Sequence, residues 1–167
     1  IQNDEQEKEV RKFLSVSFAK RLFGVASNEA LNSTRNALKN INCAQTPFTI
    51  GLFKHITLTG GRTFSVTEAD IEFWLNNYEK GQNTYILLSL LYPYLKLSQY
   101  SFHQDHCHPY AGFEEKYISD LGLPPEKIEE WKKKRNLLPN LQFLEGAENE
   151  SKNQTPLEKW ESPKRDF

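Results

Sequence analysis

Phe102-His103-Gln104-Asp105-His106-Cys107-His108-Pro109 sets three histidines and an aspartate within six consecutive positions. Imidazoles and carboxylates need partners once buried, so this density points to a site rather than to packing. Alternation over 101–107 predicts a strand. It would carry His103 and Asp105 on one face, and Phe102, Gln104 and His106 on the other. Farther along, Asn140-Leu141-Gln142-Phe143-Leu144 predicts a second strand, Gly146 a turn, and 147–152 a short helix. Between the strands, Gly112-Phe113 lead into a short helix ending at Leu121. Pro124-Pro125 open another helix over 126–135, with Ile128 and Trp131 expected inward. The expected order is strand, helical insertion, strand, helix.

Upstream, residues 1–98 read as a helical region. Val10, Phe13, Leu14, Phe18 and Leu22 recur at helical spacing over 4–23, and Gly24 stops that run. Ser27 is a natural N-cap for a helix over 28–40, with Ala30, Leu31, Ala37 and Leu38 apolar. Pro47 predicts the start of a third helix running to Leu58, broken by Gly60-Gly61. Thr67 predicts a cap for 68–80, with Ile71, Trp74, Leu75 and Tyr78 along one side. The stretch 83–92 is apolar nearly all round and predicts a buried central helix ended by Pro93. The fold class expected is therefore α+β, with a helical region over 1–98 followed by a strand–strand–helix unit over 99–167.

Bulk properties narrow the function. A chain of 167 residues, 38% hydrophobic and 26% charged, suits a globular protein with a real core. The longest apolar run, 85–95, is interrupted by Ser89 and Pro93 and is too short to span a bilayer, and no secretory leader opens the sequence. A net charge of −1 gives no strong field for nucleic acid, which counts against a stand-alone DNA binder but less against a module gripped to DNA by another domain. Cys43 and Cys107 show no spacing that suggests pairing, and without a Cys-x-x-Cys pair there is no zinc knuckle; two reduced thiols in a cytoplasmic protein are expected. The first residue, Ile1, and the absence of methionine point to a piece of a longer protein.

Cutting a phosphodiester requires a base for water and a cation for the developing charge. Asp105 is a hard oxygen ligand suited to Mg²⁺ or Mn²⁺, and Asn149 offers a neutral carbonyl oxygen. His106 can take a proton near neutral pH if a partner fixes its tautomer. Asn140 is placed to orient either that imidazole or the loop carrying it.

The segment 101–160 resembles the HNH, or His-Me finger, endonucleases. The likeness rests on Asp105-His106 with Pro109 just after, Asn140-Leu141-Gln142-Phe143-Leu144, and Asn149-Glu150-Ser151-Lys152-Asn153. The resemblance implies a ββα unit around one metal, with Asp105 and Asn149 as ligands, His106 as general base and Asn140 as the middle residue of the signature. It is closer still to the C-terminal nuclease portion of GmrSD-type modification-dependent restriction and phage-defence proteins, through Phe102 to Pro109, Leu138 to Asn153 and Pro156-Leu157-Glu158-Lys159-Trp160. That likeness implies DNA as substrate and an upstream nucleotide-dependent, ParB-like domain as partner. The third signature position is often histidine in the family; here Asn149 fits the spacing, with Asn153 the other candidate. His103 is a possible further ligand, which would favour Zn²⁺, Ni²⁺ or Mn²⁺, and His108 a possible substrate contact. Lys152 is a possible phosphate contact. Two other functions compete: a zinc hydrolase built on the His103–His108 cluster, and a helical interaction module carrying a decayed nuclease site.

Overall fold

The computed structural model describes residues 4–24, 26–39, 41–42, 45–156 and 159–160. They form a mixed fold of helices and two small antiparallel sheets. In chain order the elements are α1 (Asp4–Ala19), α2 (Ser27–Lys39), β1 (Thr57–Leu58), β2 (Arg62–Thr63), α3 (Glu68–Asn77) and α4 (Gln82–Leu91). There follow β3 (Phe102–His106), α5 (Glu115–Ile118), α6 (Pro125–Lys134), β4 (Leu141–Glu145) and α7 (Gly146–Lys152). Short 3₁₀ turns precede β1, flank α5 and lead into β4. No helix among the described residues is long and apolar enough to cross a membrane.

Two compact units emerge, one of residues 1–72 with 89–93, the other of 73–88 with 94–167. The division therefore differs from the linear one expected between 98 and 99. Residues 73–88 belong with the C-terminal half because backbone bonds hold them there. Leu138 N donates to Tyr78 O at 2.9 Å, and Lys80 N to Asn136 O at 2.8 Å. The Gln104 amide bridges both backbone groups of Gly81, at 3.1 and 3.0 Å.

The first unit is organised by aromatic rings. Phe13, Leu22, Ala30, Phe53, Ile56, Leu58 and Phe64 form its buried cluster. Phe13 stacks on Phe64 with ring centroids 5.5 Å apart and meets Phe53 at 4.8 Å. The buried face of α1 is rotated from the one expected: Phe13 and Val16 are buried, while Leu14 and Phe18 are exposed. The helix expected from Pro47 to Leu58 does not form. Its middle is a 3₁₀ turn at Ile50–Phe53, and its end is β1, paired with β2 through Thr57↔Thr63 and Leu58↔Arg62. The reason is the turn between the strands. Gly60 and Gly61 both have positive φ, +80° and +74°, which reverses the chain tightly and draws β-branched Thr57 and Thr63 into register.

The cap at Thr67 forms reciprocally. Asp70 N donates to Thr67 Oγ1 at 3.2 Å, and Thr67 N to Asp70 Oδ2 at 2.8 Å. The same carboxylate receives Lys20 Nζ at 2.8 Å. Of the side expected to be apolar on α3, Trp74 and nearby Tyr78 are buried, but Ile71 and Leu75 are exposed.

In the second unit β3 and β4 pair antiparallel, with Gln104 opposite Phe143, Asp105 opposite Gln142 and His106 opposite Leu141. Both strands formed within one residue of expectation. Phe143 packs between Tyr85 and Phe102. After β4 the chain passes directly into α7, which packs back on both strands. The sequence order strand, insertion, strand, helix thus becomes an antiparallel pair topped by a helix.

Candidate active site

Asp105 is the buried residue of β3, one position before the strand ends. Gln142, its cross-strand neighbour, donates from Nε2 to Asp105 Oδ2 at 3.1 Å. Lys152, the last residue of α7, brings its ammonium to the same oxygen at 2.9 Å and also donates to His106 O at 2.7 Å. Lys152 is fully buried. A buried ammonium is tolerable only with a paired charge and filled donor positions, and both are supplied here. This ion pair ties the C-terminus of α7 to the end of β3. The placement of Lys152 corrects its expected role, since a completely buried side chain held by two protein oxygens does not reach out to a phosphate.

Asp105 Oδ1 makes no hydrogen bond among the described residues. The half-buried side-chain amide of Asn149, on the same helix as Lys152, makes none either. One open carboxylate oxygen and one open amide are the kind of donors a hard divalent cation takes, with water and phosphate oxygens completing its shell. By donor chemistry these two groups would suit a Mg²⁺ or Mn²⁺ ion. Their charge balance is unusual, because Lys152 already neutralises the carboxylate. Among the described residues no three His, Cys, Asp or Glu side chains converge as a ready-made cluster.

His106 follows Asp105 as the last residue of β3. Its Nε2 lies 3.0 Å from Asn136 Oδ1. With that oxygen as acceptor, Nε2 carries the proton and Nδ1 keeps a lone pair. Burial, above all, lowers the imidazole pKa below the ordinary value. The Asn136 bond raises it, the Lys80 charge lowers it, Asp105 raises it and Lys152 lowers it, for a net fall. His106 is thus neutral at neutral pH, the state a base requires. Tyr110 meets its ring edge-on at 6.1 Å, and the Arg135 guanidinium lies 3.9 Å over the Tyr110 ring.

Asn140 acts on the loop, not on the imidazole. Its Oδ1 accepts from His108 N at 2.9 Å, and its Nδ2 donates to His108 O at 3.0 Å and Arg135 O at 2.8 Å. Two of these bonds clamp the turn that follows His106, and the third ties it to the end of α6. The remaining candidates scatter. His103 is exposed, its ring near the start of α7, 3.6 Å from where a Cβ on Gly146 would stand. His108 is exposed with its backbone pinned by Asn140. Asn153 closes α7 with φ +45°, its N donating to Asn149 O at 3.0 Å. Cys107 is a free, half-buried thiol; burial and then the Asp105 charge push its pKa up, away from reactivity. Cys43 lies outside the described residues.

Two residues escaped the sequence reading. Asn136 sits in a plain helix–strand linker, Arg135-Asn136-Leu137, where nothing marks it. Lys80 sits before Gly81 in the region assigned to the helical half, yet its backbone bonds to Asn136, and its exposed ammonium is close enough to depress the His106 pKa. The three lysines and arginine at 132–135 were conspicuous, but Lys132 and Lys134 are paired with Glu129 and Glu130. No protein-family model matches this chain, and no curated protein matches it.

Proposed function

We propose that this chain is a metal-dependent DNA endonuclease of the HNH type, the nuclease module of a cytoplasmic restriction or phage-defence protein. One observation carries the reading. His106 ends β3 with its Nε2 3.0 Å from Asn136 Oδ1, next in sequence to a carboxylate with one open oxygen, in an antiparallel pair topped by a helix bearing an open amide.

His106 Nδ1 takes a proton from a water as its oxygen attacks phosphorus, the P–O3′ bond breaks, and the departing 3′ oxygen takes a proton from solvent to leave as the 3′ hydroxyl. Asn136 holds the imidazole by Nε2, so the ring does not rotate away as it becomes charged. Asn140 fixes the loop, and Gln142 and Lys152 fix the Asp105 carboxylate so that Oδ1 is presented. Asp105 and Asn149 would hold the divalent ion, which when bound supplies charge neutralisation at the phosphate and the departing oxygen. Lys80, exposed and electrostatically felt by His106, is a better candidate for a substrate phosphate than buried Lys152. On the resemblance, the grip and choice of DNA come from an upstream nucleotide-dependent, ParB-like domain, consistent with a net charge of −1 here.

The test is nicking of supercoiled plasmid with Mn²⁺ or Mg²⁺. His106→Ala is expected to lose about 10²–10⁴-fold in rate while melting at the wild-type temperature. Equal nicking by wild type and His106→Ala would reject the assignment.

A further inference from the structure

Beside the clamped loop lies an open pocket of about 480 Å³, within the second unit. Its apolar walls include Leu75, Phe113 and Trp131, and its rim carries His108, Lys134 and Asn140. Trp131 was expected to face inward, yet it is 42% exposed. An indole left this open beside Phe113 offers a flat apolar face that α6 does not use for its own packing. The His108 ring is exposed and makes no hydrogen bond among the described residues, while its backbone is fixed by Asn140 at both N and O. Asn140 is therefore shared: its amide sets the turn after His106, and it forms part of the pocket wall.

We propose that this pocket takes one unpaired nucleobase of the DNA strand, stacked on Trp131, next to the phosphate offered to His106. The proposal rests on the nuclease reading and adds to it a substrate class, DNA with at least one base out of the duplex. Three observations select this occupant. The walls are aromatic and apolar, as a π-face requires, and the rim is polar, with an exposed imidazole at His108 and with Lys134 paired to Glu130. Lys133, exposed and free of ion pairs among the described residues, offers one cation at the adjoining depression, whose lining also carries Lys134, Glu79 and Glu130. The wall at His108 is two residues along the chain from His106, so a base held there sits on the same loop as the base catalyst. Within a duplex each base face is covered by its neighbours, so only an unstacked base can meet the indole.

The experiment measures binding by fluorescence anisotropy, in EDTA and at low salt, with the whole chain. The probes are a labelled ten-nucleotide single strand, the same strand with central abasic sites, and a duplex. The wild type is expected to prefer the base-bearing strand to the abasic strand by about ten-fold. Trp131→Ala is expected to abolish that preference while leaving abasic affinity unchanged, and Trp131→Phe to restore part of it. Equal affinity for base-bearing and abasic strands in the wild type, a preference that survives Trp131→Ala, or no binding to any strand would overturn the proposal. The nuclease reading fails separately. A protein that prefers bases but never nicks plasmid keeps the pocket and loses the catalysis, and one that nicks without base preference does the reverse.

Discussion

The two small sheets of this protein are built on opposite principles. The β1–β2 pair is local, closed by Gly60-Gly61 and packed under phenylalanine rings. The β3–β4 pair joins segments far apart in sequence and buries Asp105, Gln142 and Lys152 among its apolar residues. A local hairpin over an aromatic cluster needs only volume and a turn. A long-range pair with a buried ion pair must also satisfy charge and hydrogen-bond geometry at one point. Such costly polar networks cluster at functional sites but also serve structure, and this one lies at the end of the strand that bears the proposed base, His106.

Substitutions sharpen that contrast. Lys152→Met is expected to cost about 3–5 kcal/mol, because it strands a buried carboxylate. Phe53→Ala in the first unit is expected to cost a similar amount, about 3–5 kcal/mol, through a cavity. The rescues should differ. Phe53→Leu keeps most of the volume and recovers most of the loss, whereas Lys152 yields only when Asp105→Asn is introduced with it. Thermal and urea melts of the four variants measure this; a Lys152→Met protein as stable as wild type would remove the ion pair from the account.

Asn140→Ala is smaller in stability, about 1–3 kcal/mol for the carbonyls and amide it leaves unpaired. It should nonetheless reduce nicking strongly, since the turn after His106 loses its clamp. Wild-type nicking in that variant would mean the loop is held elsewhere.

The smallest effect belongs to the first unit. Asp70 is pushed up by burial but pulled further down by the Lys20 and Thr67 hydrogen bonds and the Lys20 charge, for a net lowered pKa. The stability from this group is present above the ordinary carboxylate value of 3.8 and is lost as pH falls through the lowered one. Asp70→Asn should remove about 1 kcal/mol at neutral pH through the weakened cap, and should flatten the decline in stability below pH ~4. An unchanged acid decline would place that sensitivity on another group.

What could be read beforehand follows the same divide. β3, β4, α6 and α7 were legible because alternation, proline and glycine marked them locally. The prolines at 124–125 opened α6, and Gly146 began α7 in place of the predicted turn. Helix existence in the first half was legible too, but its faces were not. Leu14, Phe18 and Leu31 fit the helical period and are exposed, since periodicity does not say which stripe the phenylalanine cluster will cover. The expected helix over 47–58 failed because the glycine turn and β-branched flanks outweighed a weak propensity. Within the candidate site, His106, Asp105, Asn140 and Asn149 carry the spacing on which the resemblance rests, so the sequence could offer them as candidates. Asn136 and Lys80 could not be named, because only tertiary contacts bring a linker amide and the end of a distant turn to one imidazole. Lys152 was misread because a lysine on a short polar helix looks solvent-exposed until the strand pair buries it.

Asp105 and Asn149 are proposed to share one divalent ion beside His106. Mn²⁺ titrated into ¹⁵N-labelled protein, read by paramagnetic broadening, tests it most directly. The amides of Asp105, His106 and Asn149 should broaden first, at sub-stoichiometric Mn²⁺, and should stay sharp in Asn149→Ala. Broadening centred elsewhere, or unchanged by Asn149→Ala, would contradict the account.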